Sequence, residues 1–258
     1  MNLTKTLSVS LNGLQLSIAI NYRSTSNKLL VFLHGLGCHQ EAFRPAFDHV
    51  DLSDYSICTL DFPGFGESDK PSNFSYSIRD QATVLLYALD QLDYEQVSLV
   101  AHSMGGAIGL LAADNVKNLK SFVNVEGNLT STDCGIVSRQ IAKQTELAFV
   151  TKGYDALLKQ LQKSERNDYK IWAKWYEKSS PIAIHRSAKS LVEESDSGKL
   201  LEQFNSLPNK SYIYGDSERE YLLPLFHQTN VKKIVQSGHF PMIDNPDAFY
   251  KVIAKLCS

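Results

Sequence analysis

Polar and apolar residues alternate near the start of the chain, where Leu7–Leu11 and Leu14–Ile20 each show a period of two. The dipeptide Asn12-Gly13 separates these segments, and it tolerates the positive φ angles that a tight hairpin turn needs. The pattern predicts that the chain opens with two antiparallel strands.

Farther along, apolar residues form continuous runs, which are typical of parallel strands covered on both faces. Segments with helical spacing of apolar residues separate these runs. The predicted strands are Lys28–Leu33, Tyr55–Leu60, Val97–Ala101, Ser121–Val125, Ser211–Gly215 and Val231–Val235, and the predicted helices are Glu41–Val50, Tyr76–Leu92, Gly105–Asp114 and one that begins near Pro246.

This alternation predicts an α/β fold with a doubly wound, mostly parallel sheet of eight strands. The predicted strands stop for roughly 80 residues between Glu126 and Asn205. Four amphipathic helices are expected there instead, at Ile141–Val150, Tyr154–Leu161, Tyr169–Tyr176 and Ala183–Leu191. We therefore expect residues 1–126 and 206–258 to form the core domain and residues 127–205 to form an inserted helical cap, or lid.

Ser103 lies where a strand-like run meets an Ala- and Gly-rich segment, in the sequence Val97-Ser-Leu-Val-Ala-His-Ser-Met-Gly-Gly106. Ala101 and Gly105 keep a sharp turn between strand and helix sterically possible, and the helix directs its N-terminal amides at the hydroxyl. A serine that only caps the helix is the simpler alternative. The pattern makes Ser103 a candidate nucleophile.

Composition narrows the range of partners. The 258 residues carry a net charge of -2, which gives no electrostatic reason to bind nucleic acid or an anionic membrane. No run approaches the roughly 18 apolar residues of a membrane span, and a cytoplasmic location is expected. The four cysteines have no paired spacing, so neither a disulfide framework nor a metal site is indicated. The oligomeric state stays open.

Four motifs in the same chain order resemble those of the α/β-hydrolase superfamily, in its serine-nucleophile branch with a helical cap. Ala101 replaces the usual first glycine of the nucleophile turn, and it keeps the small side chain that the turn needs. The resembling segments are His34-Gly-Leu-Gly37, Asp61-Phe-Pro-Gly-Phe-Gly-Glu-Ser68, Ala101-His-Ser-Met-Gly105 and Gly238-His-Phe-Pro-Met242.

The resemblance implies roles for residues in these loops. His239 would take the Ser103 proton and return it to the leaving group, and the backbone amides of Leu36 and Met104 would form the oxyanion hole. Residues expected at the substrate pocket are His34, Gly35, His102, Trp172, Trp175 and Phe240, although the two histidines would chiefly orient loops and the two tryptophans could simply pack the cap onto the core.

Three carboxylates compete to be the acid that orients His239. Family spacing, counted from Gly215, favours Glu218. Asp216 lies two positions earlier and could take the role in a slightly different turn. Glu126 ends the predicted strand before the insertion, where some cap-bearing relatives place their acid, and a buried carboxylate there would need a partner.

The resemblance implies a serine hydrolase that needs no cofactor and cleaves a small to medium carboxylic ester through an acyl-enzyme intermediate. Thioesterases, lactonases, carbon–carbon bond hydrolases and proline-type aminopeptidases share the same serine, and fold alone does not choose among them. A hydrolase-like receptor that binds a small ligand without turnover is the non-enzymatic alternative.

Overall fold

Eight strands form one sheet in the computed structural model, which describes residues 2–134, 136–216 and 219–258. Their hydrogen-bonded order is β1-β2-β4-β3-β5-β6-β7-β8. The strands are β1 (Asn2–Leu11), β2 (Leu14–Arg23), β3 (Lys28–Leu33), β4 (Ser56–Leu60), β5 (Gln96–His102), β6 (Leu119–Val125), β7 (Lys210–Tyr214) and β8 (Asn230–Lys233).

The sheet is antiparallel at one edge and parallel elsewhere. β1 pairs with β2 and β2 with β4 in antiparallel fashion, and every other neighbouring pair is parallel. In the first hairpin, Leu11 pairs with Leu14, and the two turn residues Asn12 and Gly13 have φ angles of 51° and 78°. The predicted hairpin, the α/β class and the mostly parallel sheet are confirmed.

Helices cover the sheet and extend from it. Helices α1 and α2 contact each other and α8 contacts α2, whereas α10 packs against β6. The helices are α1 (Ile78–Leu89), α2 (Met104–Ala113), α3 (Ile136–Ala142), α4 (Glu146–Ala148), α5 (Tyr154–Gln162), α6 (Asn167–Tyr176), α7 (Pro181–Asp196), α8 (Lys199–Ser206), α9 (Pro241–Asp244) and α10 (Pro246–Cys257).

The prediction of an α-helix over Glu41–Val50 is wrong. The chain instead forms 3₁₀ turns at Gln40–Phe47 and Val50–Leu52. Pro45 lies inside the first of them and lacks the amide that an α-helix would use, while Phe43 has the non-helical angles φ −113° and ψ 16°. Both features interrupt a regular α-helix in this segment.

Helices α3 to α8 all lie between β6 and β7, with a π-helical turn at Phe149–Gly153. The helix predicted over Ile141–Val150 is divided in two, because α3 ends at Ala142 and the Thr145 side chain caps α4 by accepting from the Ala148 amide at 3.2 Å. The boundaries of a cap at 127–205 stay a prediction.

Helix α8 was not predicted, and it leads directly into β7. The Lys210 ammonium, at the start of β7, donates to the carbonyls of Asn205 and Leu207 at 3.0 and 2.9 Å. Carbonyls at a helix end lack partners within the helix, so this buried lysine supplies them. None of the described helices is long and apolar enough to cross a membrane.

Candidate active site

Ser103 occupies the sharp turn between β5 and α2. Its backbone angles are φ 51° and ψ −119°, a strained conformation for a residue with a side chain. Ser103 stands at the N-cap position of α2, but its side chain makes no capping hydrogen bond. A Cβ on Gly105 would lie 2.5 Å from the Leu33 carbonyl oxygen, so the turn also requires glycine there. Capping therefore does not explain this serine.

The loop after β3 packs directly on the serine. A Cβ on Gly35 would lie 3.0 Å from Ser103 Cβ and 2.9 Å from His102 Nδ1, so only glycine permits this approach. Within the described chain, no backbone carbonyl accepts a hydrogen bond from the amide of Leu36 or of Met104. These two amides are thus available beside Ser103, and the Met104 amide is at the N-terminus of α2.

His34 holds this loop in place. Its ring Nδ1 donates to the Gly35 carbonyl at 2.8 Å, and its Nε2 accepts from the Phe62 amide at 3.0 Å. Burial lowers the pKa of His34 to about 3, so the ring is neutral at physiological pH. Both ring nitrogens are occupied by backbone groups, which leaves His34 a structural role in the loop.

His239 contacts one of the three candidate acids. Its Nδ1 lies 3.4 Å from Glu126 Oε2, at the long end of hydrogen-bonding range. Glu126 directly follows β6 with φ 51°, and its side chain is completely buried. Its other oxygen, Oε1, accepts from the Gly215 amide at 2.8 Å. The carboxylate therefore joins the ends of β6 and β7 and faces the histidine.

Of the other two candidate acids, the structure describes only Asp216. Asp216 is half exposed; its Oδ2 accepts from the Gln236 amide at 2.8 Å and its Oδ1 lies 3.3 Å from Lys233 Nζ. Both oxygens are thus engaged by groups other than His239. Glu218 lies outside the described residues, so its preferred role stays a prediction.

His102, immediately before the serine, fixes the backbone of His239. Its Nε2 donates to the His239 carbonyl at 2.8 Å, and the two rings lie 4.8 Å apart. Burial, followed by the proximity of His239, lowers the pKa of His102 to about 3. A neutral His102 does not oppose a positive charge on His239.

Comparisons with known proteins agree with the observed fold. A family model described as the alpha/beta hydrolase fold matches residues 28–151. A thermophilic esterase from Thermogutta terrifontis superimposes with a TM-score of 0.76 over 100% of both chains, at 16% identity. The chain therefore has the α/β-hydrolase fold. A bromoperoxidase from Bacillus anthracis superimposes on this chain with a TM-score of 0.79, at 16% identity, over 98% of this chain and 99% of that one.

Among curated sequences, this chain is similar to the uncharacterized hydrolase YugF of Bacillus subtilis (strain 168). The two are 36% identical over 93 residues, which is 36% of this chain and 34% of YugF. The chain thus spans about a third of the length of that relative.

Arg219 is a member of the site that the sequence did not reveal. Its Nε lies 3.2 Å from Glu126 Oε2, and its Nη1 donates to the Asp133 carbonyl at 3.2 Å. The Asp133 carboxylate in turn accepts from the amides of Leu129 and Thr130, and burial raises its pKa to about 6. In the sequence, Arg219 stands between two glutamates and has no feature that separates it from a solvated surface charge.

A cavity of about 260 Å³ adjoins Ser103 and His239. One part of its wall is apolar and aromatic, and another part carries polar side chains. The lining residues are Gly35, Leu36, Cys38, His102, Ser103, Glu126, Asn128, Asp133, Cys134, Val137, Ser138, Tyr169, Trp172, Arg219, His239 and Phe240.

Two expected pocket residues do not line this cavity. His34 is fully buried beneath the loop that it holds. Trp175 packs against His39 with their rings 6.1 Å apart. Trp172, by contrast, does line the cavity. Residues three apart on a helix share a face only approximately, so Trp175 faces His39 rather than the cavity.

Proposed function

We propose that the protein is a serine hydrolase that cleaves a small to medium carboxylic ester through an acyl-enzyme intermediate. The observation that carries the proposal is the strained Ser103, whose hydroxyl caps nothing and shares a cavity with His239. A serine held in this conformation without a capping bond is typical of a nucleophile. Fold similarity to an esterase from Thermogutta terrifontis is in keeping with this chemistry.

In the proposed reaction, His239 Nε2 takes the proton of Ser103 Oγ as that oxygen bonds to the acyl carbon. The negative charge that develops on the former carbonyl oxygen is stabilised by the amides of Leu36 and Met104. His239 then gives its proton to the departing alcohol. Water repeats the sequence on the acyl-enzyme, which releases the acid and restores Ser103.

We propose Glu126 as the acid of the triad. Support comes from its complete burial and from the 3.4 Å contact between its Oε2 and His239 Nδ1. A carboxylate there keeps Nδ1 protonated, so that Nε2 is free to accept the serine proton. Arg219 and the Gly215 amide would hold the carboxylate in place.

The size of the cavity supports a small substrate. Its volume of about 260 Å³ lies just below the roughly 300 Å³ at which pockets begin to hold drug-sized ligands. Tyr169, Trp172 and Phe240 would contact the apolar part of the acyl group, because they form the aromatic part of the wall. Long acyl chains should exceed this space.

The test is hydrolysis of p-nitrophenyl esters from acetate to decanoate, together with a thioester and a lactone. Wild-type protein should prefer the shorter esters. Ser103→Ala should be inactive, while Ser72→Ala, which changes an exposed serine, should match wild type. Activity that survives in Ser103→Ala would show that Ser103 is not the nucleophile. Binding of the esters by wild-type protein without any turnover would favour a receptor.

A second series tests the acid. Glu126→Gln should lower kcat by orders of magnitude with the fold retained, as expected when a catalytic histidine loses its orienting carboxylate. Asp216→Asn should keep most of the activity, because its oxygens face other groups. If Glu218→Gln is inactive and Glu126→Gln is not, the role belongs to Glu218.

A further inference from the structure

Helix α6 lies across both loops that flank the proposed nucleophile. The indole N–H of Trp172, in the middle of this helix, donates to the Leu36 carbonyl at 3.1 Å. The Trp172 ring also packs on Phe240, the residue after His239, with 5.8 Å between ring centroids. Trp172 therefore contacts both the loop after β3, which carries Leu36, and the loop that carries His239 and Phe240.

Glycines allow this close seating. Gly37 has φ 68°, and a Cβ there would lie 2.7 Å from the Tyr176 ring and 3.0 Å from Trp172 Nε1. At the other end of α6, a Cβ on Gly238 would lie 2.9 Å from Arg166 Nη2. Each loop thus meets the helix, or the residue just before it, at a position without a side chain.

The bond to the Leu36 carbonyl bears on catalysis because it holds the peptide that directly follows the Leu36 amide, one of the two proposed oxyanion donors. The His34 ring holds the Gly35 carbonyl, in the same peptide as that amide, at 2.8 Å. The Cys38 thiol, a weak donor, also lies near the Leu36 carbonyl, with its Sγ 3.8 Å from the oxygen. Trp172 is only 7% exposed, and its indole N–H is directed at the Leu36 carbonyl. Its hydrogen bond therefore acts together with the His34 bond to the Gly35 carbonyl to limit rotation of this part of the loop.

We propose that Trp172 is a positioning residue: its N–H fixes Leu36, so that the oxyanion hole is complete only when α6 is seated on the core. The inference rests on the proposed serine hydrolase. Under this proposal, the inserted helices affect the rate of the chemical step as well as the shape of the pocket. The aromatic contact with Phe240 keeps the ring in the position from which it donates.

The test uses Trp172→Phe, which keeps an aromatic ring and removes the N–H. On the preferred p-nitrophenyl ester, kcat should fall on the order of 10- to 100-fold, somewhat less than for loss of an oxyanion donor, while KM changes less than threefold. Trp175→Phe is the matched control, since it removes an indole N–H from the same helix outside the cavity wall, and it should retain wild-type kcat.

A second readout separates positioning from packing. A trifluoromethyl ketone that matches the acyl group forms an oxyanion on addition of Ser103, whereas the corresponding secondary alcohol does not. Trp172→Phe should weaken binding of the ketone at least tenfold and leave binding of the alcohol nearly unchanged, at a melting temperature close to wild type.

The outcomes distinguish the two proposals. Wild-type kcat in Trp172→Phe, or equal weakening of ketone and alcohol, would overturn the positioning role while the serine hydrolase stands. If wild-type protein neither hydrolyses esters nor reacts at Ser103 with a fluorophosphonate, the proposed function fails and this inference fails with it.

Discussion

Replacing His102 by glutamine should make the stability of the protein less sensitive to acid. The folded protein keeps His102 neutral, because burial lowers its pKa to about 3, whereas a histidine in the unfolded chain has a pKa near about 6.5. Between these values only the unfolded chain takes up the proton. The contribution of His102 to stability is thus present above about pH 6.5 and is lost as the pH falls below it.

The size of the effect follows from these two values. At pH 5.5 about nine-tenths of unfolded chains carry the proton, and almost no folded chain does. Going from pH 7.5 to 5.5 should therefore cost ~1.4 kcal/mol for His102. His34, whose pKa is also about 3, should add a similar loss. The buried carboxyls of Asp61 and Asp133, with pKa values raised by burial to about 6, oppose this loss.

The assay is urea unfolding at pH 7.5 and 5.5, for wild type and His102→Gln. Glutamine can keep the hydrogen bond to the His239 carbonyl but does not titrate. Because Asp61, Asp133 and His34 are the same in both proteins, their effects cancel in the comparison. Wild type should lose ~1.4 kcal/mol more than the variant between the two pH values.

His227→Gln is the control, since that side chain is exposed and should leave the pH dependence as in wild type. If His102→Gln and wild type lose stability in parallel, the neutral, buried state of His102 is refuted.

Substitutions at three further residues test other parts of the structure. Gly35→Ala should lower ester turnover at least tenfold and also lower the melting temperature, because the new Cβ would lie 2.9 Å from His102 Nδ1 and 3.0 Å from Ser103 Cβ and would displace the loop; wild-type kcat would contradict this. Lys210→Met should cost ~1–3 kcal/mol in urea unfolding by leaving two carbonyls at the end of α8 without their donor, whereas an unchanged midpoint would show that water replaces it. Arg219→Met should cost ~3 kcal/mol or more and Arg219→Lys clearly less, since the first leaves the buried Glu126 charge without its arginine; equal effects would point to packing alone.

The inner strands of the sheet could be predicted from the sequence because they are buried on both faces. Residues 29–33 of β3, for example, are continuously apolar for that reason, and segments with helical spacing separate such runs from one another. The turn at Ser103 was also predictable, since few sequences place small residues on both sides of a serine between a strand and a helix. Local sequence patterns were therefore sufficient to predict both the strands and the turn.

Features that depend on tertiary contacts were harder to predict. Whether Glu126 meets His239 depends on the positive φ after β6 and on the approach of β7, where the Glu126 amide donates to the Ile213 carbonyl at 2.9 Å. Neither fact can be read from the number of residues that follow Gly215. Helix α8 was missed because it is short and begins after Gly198 without a side-chain cap, so only its packing on α2 reveals it.

The place where helices α3 to α8 leave and rejoin the sheet has a consequence for how such proteins diversify. They depart after β6 and return at β7, which pair directly, with Val125 opposite Ile213. The entropic cost of closing a longer connection grows slowly, by about 0.6 kcal/mol for each doubling of its length. Evolution, or a protein engineer, can therefore exchange this segment for one of different length at little entropic cost, provided that the replacement again supplies a donor to the Leu36 carbonyl beside an unchanged Ser103 and His239.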